Sequence, residues 1–220
     1  MEEKTFVDDI NRSVYDIKNE ENDSYRIKQG LTPEIVEKIS EEKHDPAWMR
    51  EFRLKSLEIY NNMQVPDWGP SIDGLNMDNI ATYVRANTNM KGDWKDVPEE
   101  IKDTFDRLGI PKAERESLAG VGAQYDSELV YHNVRKEVAD QGVVYTDMES
   151  ALTGEYADMV HEHFMKLITP QDHKFAALHG AVWSGGSFVY VPKGVNLEIP
   201  LQSYFCLLYT SPSPRDGATS

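Results

Sequence analysis

The sequence predicts an α+β fold, with helices dominating the first half of the chain and strands dominating its end. Near residues 32 and 45, a capping residue followed by proline precedes apolar residues at helical spacing, which is typical of a helix start. In residues 195–201 every second residue is apolar, which is the period of a strand with one buried face. The change of pattern predicts a boundary at about residues 170–185.

Two helices are predicted early in the chain, after a polar and charged arm at residues 1–30 that includes a short helix near 6–17. Thr32-Pro33-Glu34 opens the first helix, with Thr as N-cap and Pro at the first position. Asp45-Pro46-Ala47 repeats this signature and opens a longer helix that runs to about Asn61. Lysine, arginine and glutamate are expected on its solvated side. Its apolar side is predicted to consist of Trp48, Phe52, Leu54, Ile59 and Met63.

The middle of the chain reads as short alternating elements after a break at residues 66–70 and a loop over 71–79. Turns are predicted at residues 119–122 and at Gly185-Gly186. Strands are predicted at residues 124–132 and 143–145. Helices are predicted at residues 98–108, 111–118, 135–140, 148–153, 156–167 and 175–181.

The last native-looking residues predict two strands joined by a corner. Residues 188–191 form a continuous apolar run, as expected of a strand covered on both sides. Pro192-Lys193-Gly194 supplies the corner, because Pro fixes φ and Gly permits positive φ. Residues 195–202 alternate and predict the second strand. The tail from Cys206 to Ser220 resembles a translated sequencing adapter more than a Ser/Pro-rich disordered terminus, so we expect the native chain to continue past Phe205.

The composition limits the kinds of partner. The chain has 220 residues and a net charge of −15, which argues against nucleic acid or an anionic membrane as the main partner. There is no apolar run of membrane-spanning length and no secretory signal pattern at the N-terminus, so we expect a cytoplasmic protein. Cys206 is the one cysteine and lies in the tail, so we give it no functional role and predict no disulfide framework.

Four histidines fall close together and are candidate metal ligands. They are His161, His163, His173 and His179. The first two are two residues apart on a predicted helix and point about 200° apart, so they cannot share one ion while that helix holds. The His-Glu-x-x-His zinc arrangement is absent from the sequence. Surface or hydrogen-bonded histidines are therefore the favoured interpretation.

Other features with a possible chemical role also have simpler explanations. The glycines at 120, 122, 185 and 186 lack the spacing of phosphate-binding loops and predict turns. The carboxylates of residues 93–106 predict a solvated helix face. The tryptophans at 48, 68, 94 and 183 predict core or interface anchors. We therefore assign no catalytic, cofactor-binding or metal-binding residue.

Four segments of the sequence resemble the SufB/SufD family of iron–sulfur cluster assembly proteins, over about residues 5–205. The most specific is Phe188-Val-Tyr-Val-Pro-Lys-Gly-Val195, and the Tyr-Asp-Ser-Glu of residues 125–128 and the long helical leader favour the SufB branch over the paralogous SufD branch. A whole member of that branch is a little over twice as long. The four segments are residues 119–128, 174–182, 186–195 and 200–205.

The resemblance implies a fold, a function and a set of partners. The fold would be a helical or mixed domain at residues 31–170, followed at 171–205 by the first coil of a right-handed parallel β-helix. The function would be that of a non-enzymatic scaffold in the SufBCD complex, which accepts persulfide sulfur, builds an iron–sulfur cluster and passes it to apoproteins. The partners would be SufD, the ATPase SufC, and a cysteine desulfurase with its sulfur-transfer protein. A reduced flavin accompanies the complex in some members.

The family's sulfur-accepting cysteine and cluster ligands lie in its C-terminal half, so no site residue is carried over to this chain. The fragment itself is expected to be inactive, and one coil of a β-helix cannot bury its own face. Two other classes of function stay open. One is a non-catalytic module that docks a sulfur donor or another Suf partner, with Trp48, Trp68 and Trp94 as candidate anchors. The other is a histidine-ligated metal enzyme built on residues 161–179.

Overall fold

The computed structural model describes residues 23–69, 72–86, 93–107, 120–125 and 128–206. The helices of this part are α1 (Pro33–Glu42), α2 (Ala47–Asn62), α3 (Glu99–Arg107), α4 (Lys136–Ala139), α5 (Met148–Thr153), α6 (Ala157–His163) and α7 (Lys174–Val182). Its strands are β1 (Asp23–Arg26), β2 (Val84–Ala86), β3 (Gly120–Tyr125), β4 (Glu128–Val134), β5 (Val144–Asp147), β6 (Ser187–Tyr190) and β7 (Leu201–Cys206). The predicted α+β class is confirmed, and none of the described helices is long and apolar enough to cross a membrane.

Helix α1 forms as its sequence predicts. The Thr32 hydroxyl accepts a hydrogen bond from the Ile35 amide at 3.4 Å, and Pro33 occupies the first turn, where an amide hydrogen is not needed. Ile35, Val36 and Ile39 are buried along one side. The cap therefore fixes where the helix begins, and the apolar spacing fixes which side faces the core.

Helix α2 differs from its prediction in its cap and in its buried side. It begins at Ala47 with Pro46 as N-cap, and no side chain caps it, because Asp45 is bonded to Arg53 instead. The buried residues are Met49, Arg53, Ser56 and Leu57. The predicted apolar residues Trp48, Phe52 and Leu54 pack against buried clusters but are only partly buried themselves. The bounds of the helix are close to the prediction, whereas the placement of Arg53 on the solvated side was wrong.

Three small sheets make up the β part of the described residues. Strands β1 and β2 pair antiparallel, as do β5 and β6, and a third sheet has the order β4-β3-β7. The predicted turn at 119–122 is wrong, because β3 begins at Gly120. The predicted single strand at 124–132 is also wrong, because β3 ends at Tyr125 and β4 begins at Glu128, antiparallel to it. Gly120 and Gly122 therefore lie in a strand, where they pair with residues of β4.

The alternating segment at residues 195–202 is largely not a strand. The chain is irregular until β7 begins at Leu201 and pairs in parallel with β3. The alternation still reflects packing, because Val195 and Leu197 lie against a buried pair formed by Val138 and Val143. Strand β6 is also less covered than predicted, since Val189 is exposed.

Most of the other predicted helices are confirmed to within one or two residues, as α3, α4, α5 and α7. Helix α6 is the exception, since it ends at His163 and not at residue 167. The predicted helix at 111–118 and the predicted arm helix at 6–17 lie outside the described residues. The pairing of β3 with β7 is the one parallel pair among the described strands. The β-helix and the division into domains stay predictions.

A candidate interaction groove beside helix α7

Helix α7 crosses α2 closely and is fixed at its C-terminal end by a buried arginine. A Cβ at Gly180 would lie 2.7 Å from the Ser56 hydroxyl oxygen, so glycine allows the two helices to approach. The Arg53 guanidinium donates hydrogen bonds to the carbonyl oxygens of Trp183, at 2.6 Å, and Ala181, at 3.4 Å. These carbonyls lie at the helix end, where intrahelical partners run out. Their bonds to Arg53 fix the position of α7 on α2.

The N-terminal end of α7 is fixed by two side chains. The His173 imidazole accepts a hydrogen bond through Nδ1 from the Ala176 amide at 3.1 Å and so acts as the N-cap. The Lys174 ammonium donates to the carbonyl oxygens of Tyr60 and Met63, at 2.9 and 2.8 Å, at the end of α2. The C-terminal end of α2 and the N-terminal end of α7 therefore meet at one place, and the bond to the Ala176 amide holds the partly exposed His173 there.

A braced turn connects α6 to α7 and holds two aliphatic side chains in solvent. Met165 has a φ of 47°, which turns the chain away from the axis of α6. Asp172 accepts hydrogen bonds from the Thr169 amide and hydroxyl at 3.0 and 3.2 Å, which closes the other end of the turn. Between these points Leu167 is 97% exposed and Ile168 is 63% exposed. Apolar side chains held in this way are candidates for contact with another surface.

The turn and α7 border an open cavity of about 500 Å³, which we call the α7 groove. This volume lies in the ordinary range of binding sites. Trp68 lies beside it, with its ring 6.0 Å from that of His173, and is 74% exposed. The residues that line the groove are His163, Met165, Lys166, Leu167, Ile168, His173, Phe175, Ala176 and His179.

The polar groups of the α7 groove are cationic or neutral. Of the described residues that line it, three are histidines, one is a lysine and none is acidic. Partial burial lowers the pKa of His179, and the positive charge of Arg53 lowers it further. That imidazole is therefore neutral at pH 7 and can donate one hydrogen bond and accept another. The site combines an apolar floor with one exposed lysine, Lys166.

The structure separates the four clustered histidines. His161 stacks on Trp48, with ring centroids 4.3 Å apart, while His163, His173 and His179 line the α7 groove. Within the described ranges, no group of three or more histidine, cysteine or acidic side chains could hold a metal ion. Three of the four thus share an apolar groove and do not converge on one point.

The proposed tryptophan anchors also differ from one another. Trp48 is half-buried against His161, and Trp94 is half-buried with its ring 5.7 Å from that of Phe105. Trp183 is buried in a core cluster, and Arg53 lies over its ring. Trp68 is the exposed one.

The carboxylate-rich run at residues 93–106 was predicted to face solvent. Asp93, the first of these carboxylates, is exposed, accepts a hydrogen bond from the Lys95 amide and so caps a single helical turn.

Sequence reasoning missed Leu167 and Ile168 because it extended α6 through residue 167. One signal could have found them. Thr169-Pro170-x-Asp172 has the composition of a capped turn, and the residue before a proline is disfavoured in a helix. A turn ending at Asp172 leaves the aliphatic pair outside both helices, which marks it as exposed.

Comparison with known proteins gives the chain a family. Residues 35–203 match the family described as the SufBD protein N-terminal region. Over 197 residues, which are 90% of this chain, the sequence is 53% identical to the iron–sulfur cluster assembly protein SufB of Bacillus subtilis (strain 168). Over the same length it is 48% identical to a SufBD family protein of Staphylococcus haemolyticus and 47% identical to one of Staphylococcus epidermidis.

Each of these matches covers 42% of the relative, so the chain spans less than half the length of the curated relatives it matches. The match includes both ends of the α7 groove, the strands β3 to β6 and the first residues of β7. The match covers most of the chain. The chain therefore belongs to the SufB/SufD family of iron–sulfur cluster assembly proteins.

Proposed function

We propose that the protein of which this chain is part is a SufB-type scaffold subunit of the SufBCD complex in the cytoplasm. It accepts persulfide sulfur from a cysteine desulfurase through a sulfur-transfer protein, builds an iron–sulfur cluster and passes it to apoproteins. The observation that carries the proposal is the 53% identity to the B. subtilis protein named SufB over 90% of this chain. The same identity favours the SufB branch over the SufD branch.

In this proposal the present chain supplies the N-terminal region and no chemistry. Cluster ligation needs thiolate, imidazole or carboxylate groups that converge on iron. The described residues contain no such set, so they do not fit a cluster site, and we place ligation in the remainder of the protein. SufC hydrolyses ATP, SufD pairs with the scaffold, and a reduced flavin belongs to the assembled complex, with no residue of this chain assigned to it.

The test begins with sequencing of the source gene through codon 205. The full reading frame is then co-expressed with SufC and SufD. The complex is reconstituted without oxygen from ferrous iron, cysteine, a desulfurase with its sulfur-transfer protein, and a thiol reductant that reduces the persulfide sulfur to sulfide. We expect a cluster on the full complex that transfers to an apo-ferredoxin, and none on the 220-residue chain alone. A full complex that forms no cluster, or a 220-residue chain that forms one, would contradict the proposal.

A second candidate function is a non-catalytic module that docks a Suf partner. The specific observation in its favour is the 74% exposure of Trp68, which is unusual for so large an aromatic side chain. Capture of the purified sulfur-transfer protein by the immobilised 220-residue chain, and loss of capture in Trp68→Ala, would favour the module.

A histidine-ligated metal enzyme is the third class of function. Calorimetric titration of the chain with zinc or ferrous iron tests it, since absence of stoichiometric binding rejects it.

A further inference from the structure

We propose that the α7 groove docks an amphipathic helix of a partner protein, with the apolar side of that helix on the groove and one of its carboxylates beside Lys166. Docking of this kind rests on the second candidate function, that of a module that docks a partner, and not on the scaffold chemistry. The groove adjoins Trp68, Leu167 and Ile168, which are all largely exposed. Large apolar side chains exposed in one place mark contact sites for other molecules.

The groove is held in shape within the fold. Arg53 fixes the C-terminal end of α7 on α2, and Lys174 fixes its N-terminal end. The turn that carries Leu167 is closed by the hydrogen bonds from Thr169 to Asp172. A surface fixed in this way loses little conformational entropy when it binds. Its exposed apolar side chains can therefore contribute most of their burial to affinity.

The backbone of the groove favours a helix over an extended segment as the docked element. An extended peptide gains affinity from backbone hydrogen bonds to the surface it joins. Several amides along the groove are already engaged within the fold, including those of Lys166, Thr169 and Ala176. A helix satisfies its own backbone and needs only an apolar surface for its stripe. The groove and the aliphatic pair beside it provide such a surface.

Charge at the groove favours a carboxylate on the docked helix. Lys166 is exposed, and no carboxylate of the described residues forms an ion pair with its ammonium. The described lining contains no acidic residue, and the Asp172 carboxylate in the adjoining turn is bonded to Thr169. At physiological salt, exposed charges are screened beyond about 8 Å, so Lys166 matters more here than the distant charges behind the net −15.

The described helices of a second copy do not supply such a stripe. The large apolar side chains that are exposed in the described part of the chain lie in loops or in and just after β6, and none of them lies on a helix. The apolar sides of α1 and α2 are directed into buried clusters of their own molecule. We therefore assign the docked helix to another protein.

The test uses three dye-labelled peptides and the whole 220-residue chain at physiological salt. The Glu peptide is a stapled helix of about eighteen residues, with leucine at helical spacing along one side and glutamate on both flanks. The Lys peptide has lysine in place of each glutamate. The proline peptide has the Glu sequence with a central proline and no staple, so it is not helical. Fluorescence anisotropy measures the binding of each.

We expect the Glu peptide to bind, and the proline peptide to bind at least about tenfold more weakly. Lys166→Glu should weaken the Glu peptide and strengthen the Lys peptide, each by about fivefold, because it reverses the charge at the edge of the groove. Leu167→Ser should weaken the Glu peptide by about tenfold, because it removes apolar contact area. Lys193→Glu and Ile199→Ser are matched controls at exposed positions outside the groove, and each should change the affinities by less than about twofold.

Four results would overturn the inference. The first is absence of binding of the Glu peptide, and the second is an equal effect of Lys166→Glu and Lys193→Glu. The third is equal binding of the proline peptide, which would assign the groove to an extended segment. The fourth is a dimer of the chain alone in sedimentation that Leu167→Ser dissociates, which would assign the groove to a second copy. Cluster formation on the full complex is measured separately, so the scaffold function and this contact can fail independently.

Discussion

Arg53 and Asp45 form an ion pair with 2.6 Å between Nε and Oδ2, and neither side chain is exposed to solvent. Burial lowers the pKa of Arg53, and the hydrogen bond and charge of Asp45 oppose that shift. The same guanidinium donates a hydrogen bond to the carbonyl oxygen of Trp183. One buried cation thus joins the start of α2 to the end of α7.

Arg53→Met should lower the free energy of unfolding by about 3–5 kcal/mol, because it leaves the Asp45 carboxylate buried without a partner. Urea unfolding at pH 7 measures the change. Arg50→Met is the matched control, since Arg50 is exposed and pairs with Glu37 at 2.7 Å, and it should cost less than about 1 kcal/mol. Equal losses in the two variants would show that the buried pair has no special role.

Asp147→Ala should cost about 1 kcal/mol at pH 7, because Asp147 is the N-cap of α5 and accepts from the Ser150 amide at 2.7 Å. Burial acts to raise the pKa of Asp147, but the hydrogen bonds from Ser150 outweigh it and hold that pKa below its usual range. The contribution is therefore present above the unfolded pKa of about 3.9 and is lost as the pH falls through the lower folded value.

Urea unfolding of wild type and Asp147→Ala over pH 7 to 3 checks this sign. The difference between them should be constant near neutrality and shrink at the acid end. Asp158→Ala is a control at an exposed acidic residue in the first turn of α6, where only a few tenths of a kcal/mol are expected. A difference between wild type and Asp147→Ala that grows toward acid would contradict the assignment.

Gly180→Ala should destabilise the protein by about 1–3 kcal/mol, because the added methyl would overlap the Ser56 hydroxyl oxygen. The loss should be smaller in a Ser56→Gly background, which removes the obstructing atoms, and a double-mutant cycle by urea unfolding measures the difference. Gly74→Ala has open space around it and should change stability little. Full additivity of the two substitutions would disprove the close contact.

Truncation of Trp183 should destabilise the protein strongly, whereas truncation of Trp68 should change its stability little. Trp183→Ala should cost about 3–5 kcal/mol, since this side chain is buried in a core cluster and lies under Arg53. Trp68→Ala should stay within about 0.5 kcal/mol, since its ring is 74% exposed. Thermal and urea unfolding of the two variants give the comparison. A large loss in Trp68→Ala would show that this residue stabilises the fold and is not reserved for a partner.

The fold could be predicted where local chemistry decides it. The cap of α1 depends on Thr32 and the residues that follow it, and all of them are adjacent in sequence. The burial of Arg53 could not be read in this way, because it depends on carbonyl groups of α7 that lie far along the chain. The alternation at 195–201 predicted that Val195, Leu197 and Leu201 pack inward, although Ile199 is exposed. It did not predict the hydrogen-bonding partners, since a pattern of side chains does not state which strand is adjacent.

The candidate site was only partly predictable. Clustering in sequence marked three of the histidines that line the α7 groove, but their shared position follows from the turn at Met165 and the cap at His173. Helical periodicity suggested that Leu167 continues the buried side of α6, whereas the early end of that helix exposes it. The end of α6 is set by tertiary contacts and decides which residues are exposed. The spacing of apolar residues in the sequence does not predict such an end.

The parallel pairing of β3 with β7 sets an order of events during synthesis. β4 follows β3 directly and can pair with it soon after both leave the ribosome, while the other edge of β3 has no partner until β7 has been made. Until then Gly120–Tyr125 presents unpaired backbone groups of the kind that recruit strands from other chains. The period of greatest risk of aggregation is therefore the time taken to translate the helices α4 to α7, and it passes when Leu201 reaches Gly120.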